Sequence, residues 1–118
     1  ARELAKTARE QYERRAQGLI IAARRAHKLA IGTEAVRDSI TDRKARLLVV
    51  ASDAEGSREE LEQAAHRLGR ACLVWNTKSG LGRLFSRPTL SILAVLDNGI
   101  ADELLSVVRS SAELAEDA

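Results

Sequence analysis

A three-layer α/β/α sandwich around a small mixed sheet of about four strands is the fold the sequence predicts, and three observations predict it. Segments with helical periodicity alternate with strand-like segments along the whole chain. Two of the strand-like runs, residues 46–51 and 90–96, are almost continuously apolar, and a strand of that kind needs cover on both faces of its sheet. The connections are short, so elements adjacent in sequence are expected to be adjacent in space. At 118 residues the expectation is one core.

The first helical pattern covers residues 2–26, where Leu4, Ala8, Tyr12, Ala16, Leu19, Ala22, Ala23 and Ala26 recur at three- and four-residue steps between charges. Gly18 marks a break, because glycine weakens a helix interior by about 1 kcal/mol. Residues 1–17 then form an N-terminal helical extension and residues 18–110 the domain proper. Residues 28–31 are a short extended segment. Gly32 and Thr33 start the next helix, with the Thr33 hydroxyl as its cap, Ala35, Val36 and Ile40 on its apolar face and its end near Asp42.

After the strand at residues 46–51, Ser57 and Glu60 form a capping box for a helix whose stripe is Leu61, Ala64, Ala65 and Leu68. Gly69 closes that helix. Residues 71–75 are the next strand, and Thr77 caps a short helix reaching about Phe85. Pro88 sits in the connection to the last strand, residues 90–96. Asp97, Asn98 and Gly99 turn the chain into a final amphipathic helix from Ile100 to about Val108. Residues 111–118 read as a flexible acidic tail.

Composition narrows the function classes. Apolar residues make up 45% and charged residues 31%, with signs interspersed, which argues for a packed domain rather than disorder. No apolar run approaches the length of a membrane span, and the charged first fifteen residues do not read as a secretory signal. The single cysteine, Cys72, has no disulfide partner in the chain and no company for a metal site, so the cytoplasm is the expected address; the oligomeric state is left open, with a monomer favoured. The formal net charge of +2 conceals an asymmetry: residues 1–46 hold 12 Lys or Arg against 6 Asp or Glu, whereas residues 47–118 hold 7 against 11. A basic half suits a polyanion such as nucleic acid, although solvated helix faces would account for the same charges.

Signs of catalysis are sparse. Gly80 and Gly82 lack the third glycine and the lysine-serine pair of a phosphate loop, so close packing is the better explanation for them. His27 and His66 have no second ligand or nucleophile beside them and read as solvent-facing or helix-end residues. Asp53 follows a strand, where working residues often sit, yet residues 53–56 read equally as a turn into the next helix. No enzyme activity, cofactor or metal is expected. The more productive constellation is basic: Arg24, Arg25 and Lys28 lead to the helix start at Gly32 and Thr33, where free N–H groups and the helix dipole favour a phosphate.

The segments at residues 23–33 and 45–53, then 78–83, Arg87-Pro88 and 94–101, together resemble the ribosomal protein L-seven-Ae / L-thirty-e superfamily, in its bacterial stand-alone branch. The resemblance spans residues 18–108. It implies an α/β/α sandwich that binds structured RNA, with ribosomal RNA and translation as the setting, and it adds Arg37 and the Arg87-Pro88 loop to the RNA-facing edge. The implied site is therefore Arg24, Arg25, Lys28, Gly32, Thr33, Arg37, Arg87 and Pro88. The family reads kink-turn RNA with asparagine, glutamate and, three further on, lysine after the Gly-Thr pair; here Glu34, Ala35 and Asp38 stand at those positions. Carboxylates only accept hydrogen bonds and repel phosphate, so the expectation is RNA binding without the kink-turn contacts. The alternative is a protein-interaction module that kept the fold and lost RNA affinity.

Overall fold

The computed structural model describes the backbone of residues 2–117 and the side chains of residues 7–113. Its elements follow the order α1 (Arg2–Arg25), β1 (Leu29–Ile31), α2 (Thr33–Thr41), β2 (Leu47–Val50), α3 (Arg58–Arg67), β3 (Ala71–Val74), α4 (Lys78–Arg83), β4 (Ile92–Val95) and α5 (Asn98–Asp117). The four strands form one sheet in the order β1-β4-β2-β3. β4 runs antiparallel to both β1 and β2, while β3 lies parallel to β2. The sheet is mixed, as expected.

Both faces are covered, and the strand residues divide between them by parity. Leu47 and Val49 of β2, with Leu93 and Val95 of β4, pack with Ala16 and Ile20 of α1, Leu81 of α4 and Ala101 and Leu104 of α5. Leu48 and Val50, with Ile92 and Ala94, pack with Val36 and Ile40 of α2 and Leu61 and Ala65 of α3. Every residue of β2 and β4 is buried, which is why both runs are apolar without alternation.

Four local expectations are corrected. α1 passes Gly18 without a break. Ala16 and Ile20, on either side of it, are fully buried, and their packing outweighs the glycine's local cost. α5 continues to Asp117, through the stretch expected to be a tail, because no glycine or proline follows Gly99 and α1 supplies a partner face. Glu13 of α1 ties the layers together: its carboxylate accepts from Trp75 Nε1 at 2.8 Å and from Ser111 Oγ at 3.0 Å. An Arg15–Glu103 ion pair joins the same two helices.

The third correction is at Ser57, which makes no side-chain cap on α3. Its torsions, φ −75 and ψ 4, lie outside the extended region a capping hydroxyl needs. Fourth, Ala35 is exposed, and Ser39 takes its place beside Val36 and Ile40, donating its hydroxyl to the Val36 carbonyl at 2.7 Å. Thr77 caps α4 as expected, accepting from the Gly80 N–H at 3.1 Å.

Candidate nucleic-acid interface

The topology fixes which loops meet. β1, β2 and β3 run the same way and β4 runs against them, so Gly32, the turn after Ala51, the turn at Asn76 and the loop before Leu90 share one end of the sheet. Gly32 is the N-cap of α2 with φ +93, a backbone region closed to residues with a Cβ. Its own N–H donates to the Ile92 carbonyl at 3.1 Å, anchoring the helix start to the sheet. No side chain caps α2: Thr33 is already inside the helix, so its hydroxyl is not at the capping position expected for it. The first turn of the helix is left open at its positive end.

Arg87 stands beside this helix start. A methyl group added to Gly32 would lie 3.8 Å from Arg87 Nη1. The loop that carries Arg87 is held by α4, because the Arg87 N–H donates to the Gly82 carbonyl at 2.9 Å. A Cβ on Gly82 would meet the Arg87 carbonyl oxygen at 2.6 Å, so Gly82 serves close packing of helix against loop. Ser86, at φ 57, makes the turn into that loop, and Pro88 is exposed after it.

The same loop connects to the end of α1. The Arg24 guanidinium lies over the Phe85 ring, 5.3 Å from its centroid, in cation–π geometry. Ile21, Arg24, Arg25, His27 and Leu84 line one shallow groove beside that contact. Sequence reasoning missed its apolar floor. The signal was the run Leu19-Ile20-Ile21: three consecutive apolar residues span too wide an arc for one buried stripe, and Ile21 is left 37% exposed.

Lys28 is exposed and directly precedes β1, its carbonyl accepting from the Leu96 N–H. It therefore lies at the opposite end of the sheet from Gly32, about 13 Å away along a strand rising about 3.3 Å per residue. The basic residues thus do not gather at one end of the sheet: Arg87 stands by Gly32, Lys28 at the far end of β1, and Arg24 over Phe85. Arg37 is not among them: it pairs with Glu34 at 2.6 Å and with Glu60 of α3 at 3.6 Å. The hydrogen bond and charge of Glu34 hold its guanidinium above its ordinary range, and the two carboxylates offset its charge at the surface, Glu34 being 84% and Glu60 66% exposed. By contrast, Arg24, Arg25, Lys28 and Arg87 make no ion pair among the described residues.

The remaining candidates have structural work. Asp53 Oδ1 accepts the Lys78 N–H at 2.8 Å, and the Ser52 N–H donates to the Asn76 carbonyl, so this turn joins the ends of β2 and β3. His27 is an exposed helix-end residue at φ 57, and His66 is exposed on α3. Burial, with Glu62 nearby, raises the Cys72 thiol and keeps it protonated at neutral pH. Among the described residues no three His, Cys, Asp or Glu side chains gather as metal ligands, and no helix is long and apolar enough to cross a membrane.

No family model matches the chain, and no curated protein does. Solved structures do match. A protein of unknown function from Bacillus halodurans is similar with a TM-score of 0.74 at 22% identity, over 80% of this chain and 96% of that one. The 15.5kD RNA binding protein of Giardia lamblia is similar with a TM-score of 0.63 at 15% identity, over 88% of this chain and 90% of that one. At such identities the likeness establishes the fold: this chain and an RNA-binding protein share one architecture over most of both lengths.

Proposed function

We propose that the chain binds structured RNA along its β1 edge, without catalysis. The observation that carries the reading is the set of four uncompensated cations, Arg24, Arg25, Lys28 and Arg87, ranged along the edge strand and ending at the uncapped start of α2. Backbone phosphates suit such a strip: guanidinium groups and first-turn N–H groups donate, and phosphate oxygens accept. The fold shared with the Giardia RNA-binding protein supports the same reading. Ribosomal or translation-linked RNA is the substrate class we favour, in keeping with the family resemblance.

Recognition rests on phosphate contacts and RNA shape rather than on kink-turn base edges. Glu34 and Asp38 present acceptors where the family presents donors, and Glu34 is held by Arg37. The test is filter binding to structured cellular RNA across a salt series, using the natural chain, a Lys28→Ala plus Arg87→Ala variant, and an Arg67→Ala plus Arg109→Ala control that removes two exposed cations elsewhere that make no ion pair among the described residues. The first variant is expected to lose affinity on all RNAs alike and to flatten the log–log salt slope by up to about 1.8, roughly 0.9 per lost phosphate contact on a duplex. A kink-turn and a copy lacking its tandem G·A pairs are expected to bind equally. Absence of binding at low salt, or a larger loss in the control, removes the reading and leaves the protein-interaction module.

A further inference from the structure

β3 is an edge of the sheet, four residues long and defended by its shortness alone. Residues 71–74 include no proline and no charge, two of the devices by which edge strands resist pairing. Trp75 donates its N–H to the Val50 carbonyl, so the odd-numbered residues of this strand bond inward to β2 and Cys72 and Val74 direct their N–H and C=O groups outward. Val74 is 49% exposed, the most exposed large apolar side chain among the described residues. It shares the α3 side of the sheet with Cys72. Next to Cys72 a groove runs under α3, lined also by Glu62, His66 and Arg70.

We propose that β3 pairs antiparallel with β3 of a second copy, about a twofold axis at Leu73, joining the two sheets into one of eight strands. Two conditions choose the register. Residues facing each other must lie on the same side of the joined sheet, and the outward-directed residues must pair with each other. Pairing Cys72 with Val74 of the second copy, and Val74 with Cys72, meets both and makes four main-chain hydrogen bonds. A shift one way draws Asn76 into the ladder, where its φ of 68 has already ended the strand. A shift the other way draws in Arg70, which lies before the strand begins.

The pairing gives each exposed Val74 an apolar neighbour, since it lies over Cys72 of the other copy at the floor of the groove. Charge agrees with it. The start of α3 is net acidic, with Glu55, Glu59 and Glu60 against Arg58, which is paired with Glu62, and its exit is basic, with His66, Arg67 and Arg70. A twofold axis beside the helix sets the acidic start of one α3 along the basic end of the other. The two helices would stand about 10 Å apart, one strand spacing of about 4.8 Å plus half a spacing on each side, which is a helix-packing distance. The interface is short, so a dimer of micromolar affinity is expected.

Sedimentation equilibrium from about 1 μM to about 1 mM tests the proposal, with dissociation of the natural chain expected inside that range. Val74→Lys is expected to be monomeric throughout, with the circular dichroism of the natural chain. The register has its own test. In Val74→Cys the introduced thiol faces Cys72 of the second copy at a Cα separation of about 5.5 Å, suited to a disulfide, so mild oxidation is expected to give a covalent dimer. Adding Cys72→Ala removes that link. A natural chain that stays monomeric to about 1 mM overturns the proposal. So does a dimer indifferent to Val74→Lys, or a cross-link that forms equally well without Cys72.

Discussion

Gly82→Ala separates the packing role of this glycine from the phosphate-loop role its neighbourhood suggests. An added Cβ would stand 2.6 Å from the Arg87 carbonyl oxygen and 2.9 Å from both the Thr89 nitrogen and Cα. Carbon–carbon contacts settle at about 3.5–4.0 Å, so the gap to Thr89 Cα falls short by about 0.6–1 Å. All three neighbours are backbone, which has no rotamer to turn, and the Arg87 N–H is pinned to Gly82 itself. Overpacking costs about 1–3 kcal/mol, and with only rigid backbone in the way the upper part of that range, about 2–3 kcal/mol, applies here. Alanine recovers up to about 1 kcal/mol of helix propensity, leaving a net loss of about 1–2 kcal/mol. Urea denaturation should register it directly, and Tm should fall by about 4–8 °C for a chain of this size. RNA affinity should fall as well, because relief of the clash moves Arg87 away from Gly32. Stability equal to or above that of the natural chain would refute the reasoning, since propensity alone predicts a gain.

Gly18→Ala is the counterpart: nothing lies within 4 Å of the added methyl group and α1 is continuous there, so urea denaturation should show a gain of about 0.5–1 kcal/mol. A loss would mean that the helix needs glycine at that point. Glu13→Ala should cost about 2 kcal/mol, because the Trp75 N–H and the Ser111 hydroxyl both lose their acceptor, whereas Glu13→Gln should keep most of the stability. The emission of Trp75, the only tryptophan, should shift in the alanine variant and not in the glutamine variant, and equal stability of the two would show that the bridge contributes nothing.

The architecture was legible because its strongest signals are local. The apolar runs of β2 and β4 announce burial on both faces before any partner is known, and Thr77 meets the Gly80 N–H three residues on. Failures came where a distant partner decides. Gly18 looks like a break because its cost is local, while the compensation at Ala16 and Ile20 comes from strands and helices elsewhere in the chain. The length of α5 was hidden for the same reason: residues beyond Val108 look like an acidic tail until α1 lies alongside and Ser111 finds Glu13, 98 positions away in sequence. Ser57 shows the converse, a correct capping pattern whose backbone torsions do not follow it.

The candidate site was half legible, and the missing half concerns where charge is used up. Counting charge along the chain treats Arg37 and Arg87 as equivalent cations, yet they end in opposite situations. Arg37 meets Glu34 within its own helix and Glu60 from α3, and only the first of these partners is visible from sequence spacing. Arg87 comes from the half whose net charge is negative, and it reaches Gly32 only because Gly82 lets α4 press against its loop. The quantity that bears on a polyanion is thus the set of cations left unpaired after folding, not the net charge of a segment. On that measure the edge along β1 keeps Arg24, Arg25, Lys28 and Arg87, drawn from both halves. Arg37 drops out, because Glu34 and Glu60 already offset its charge at the surface.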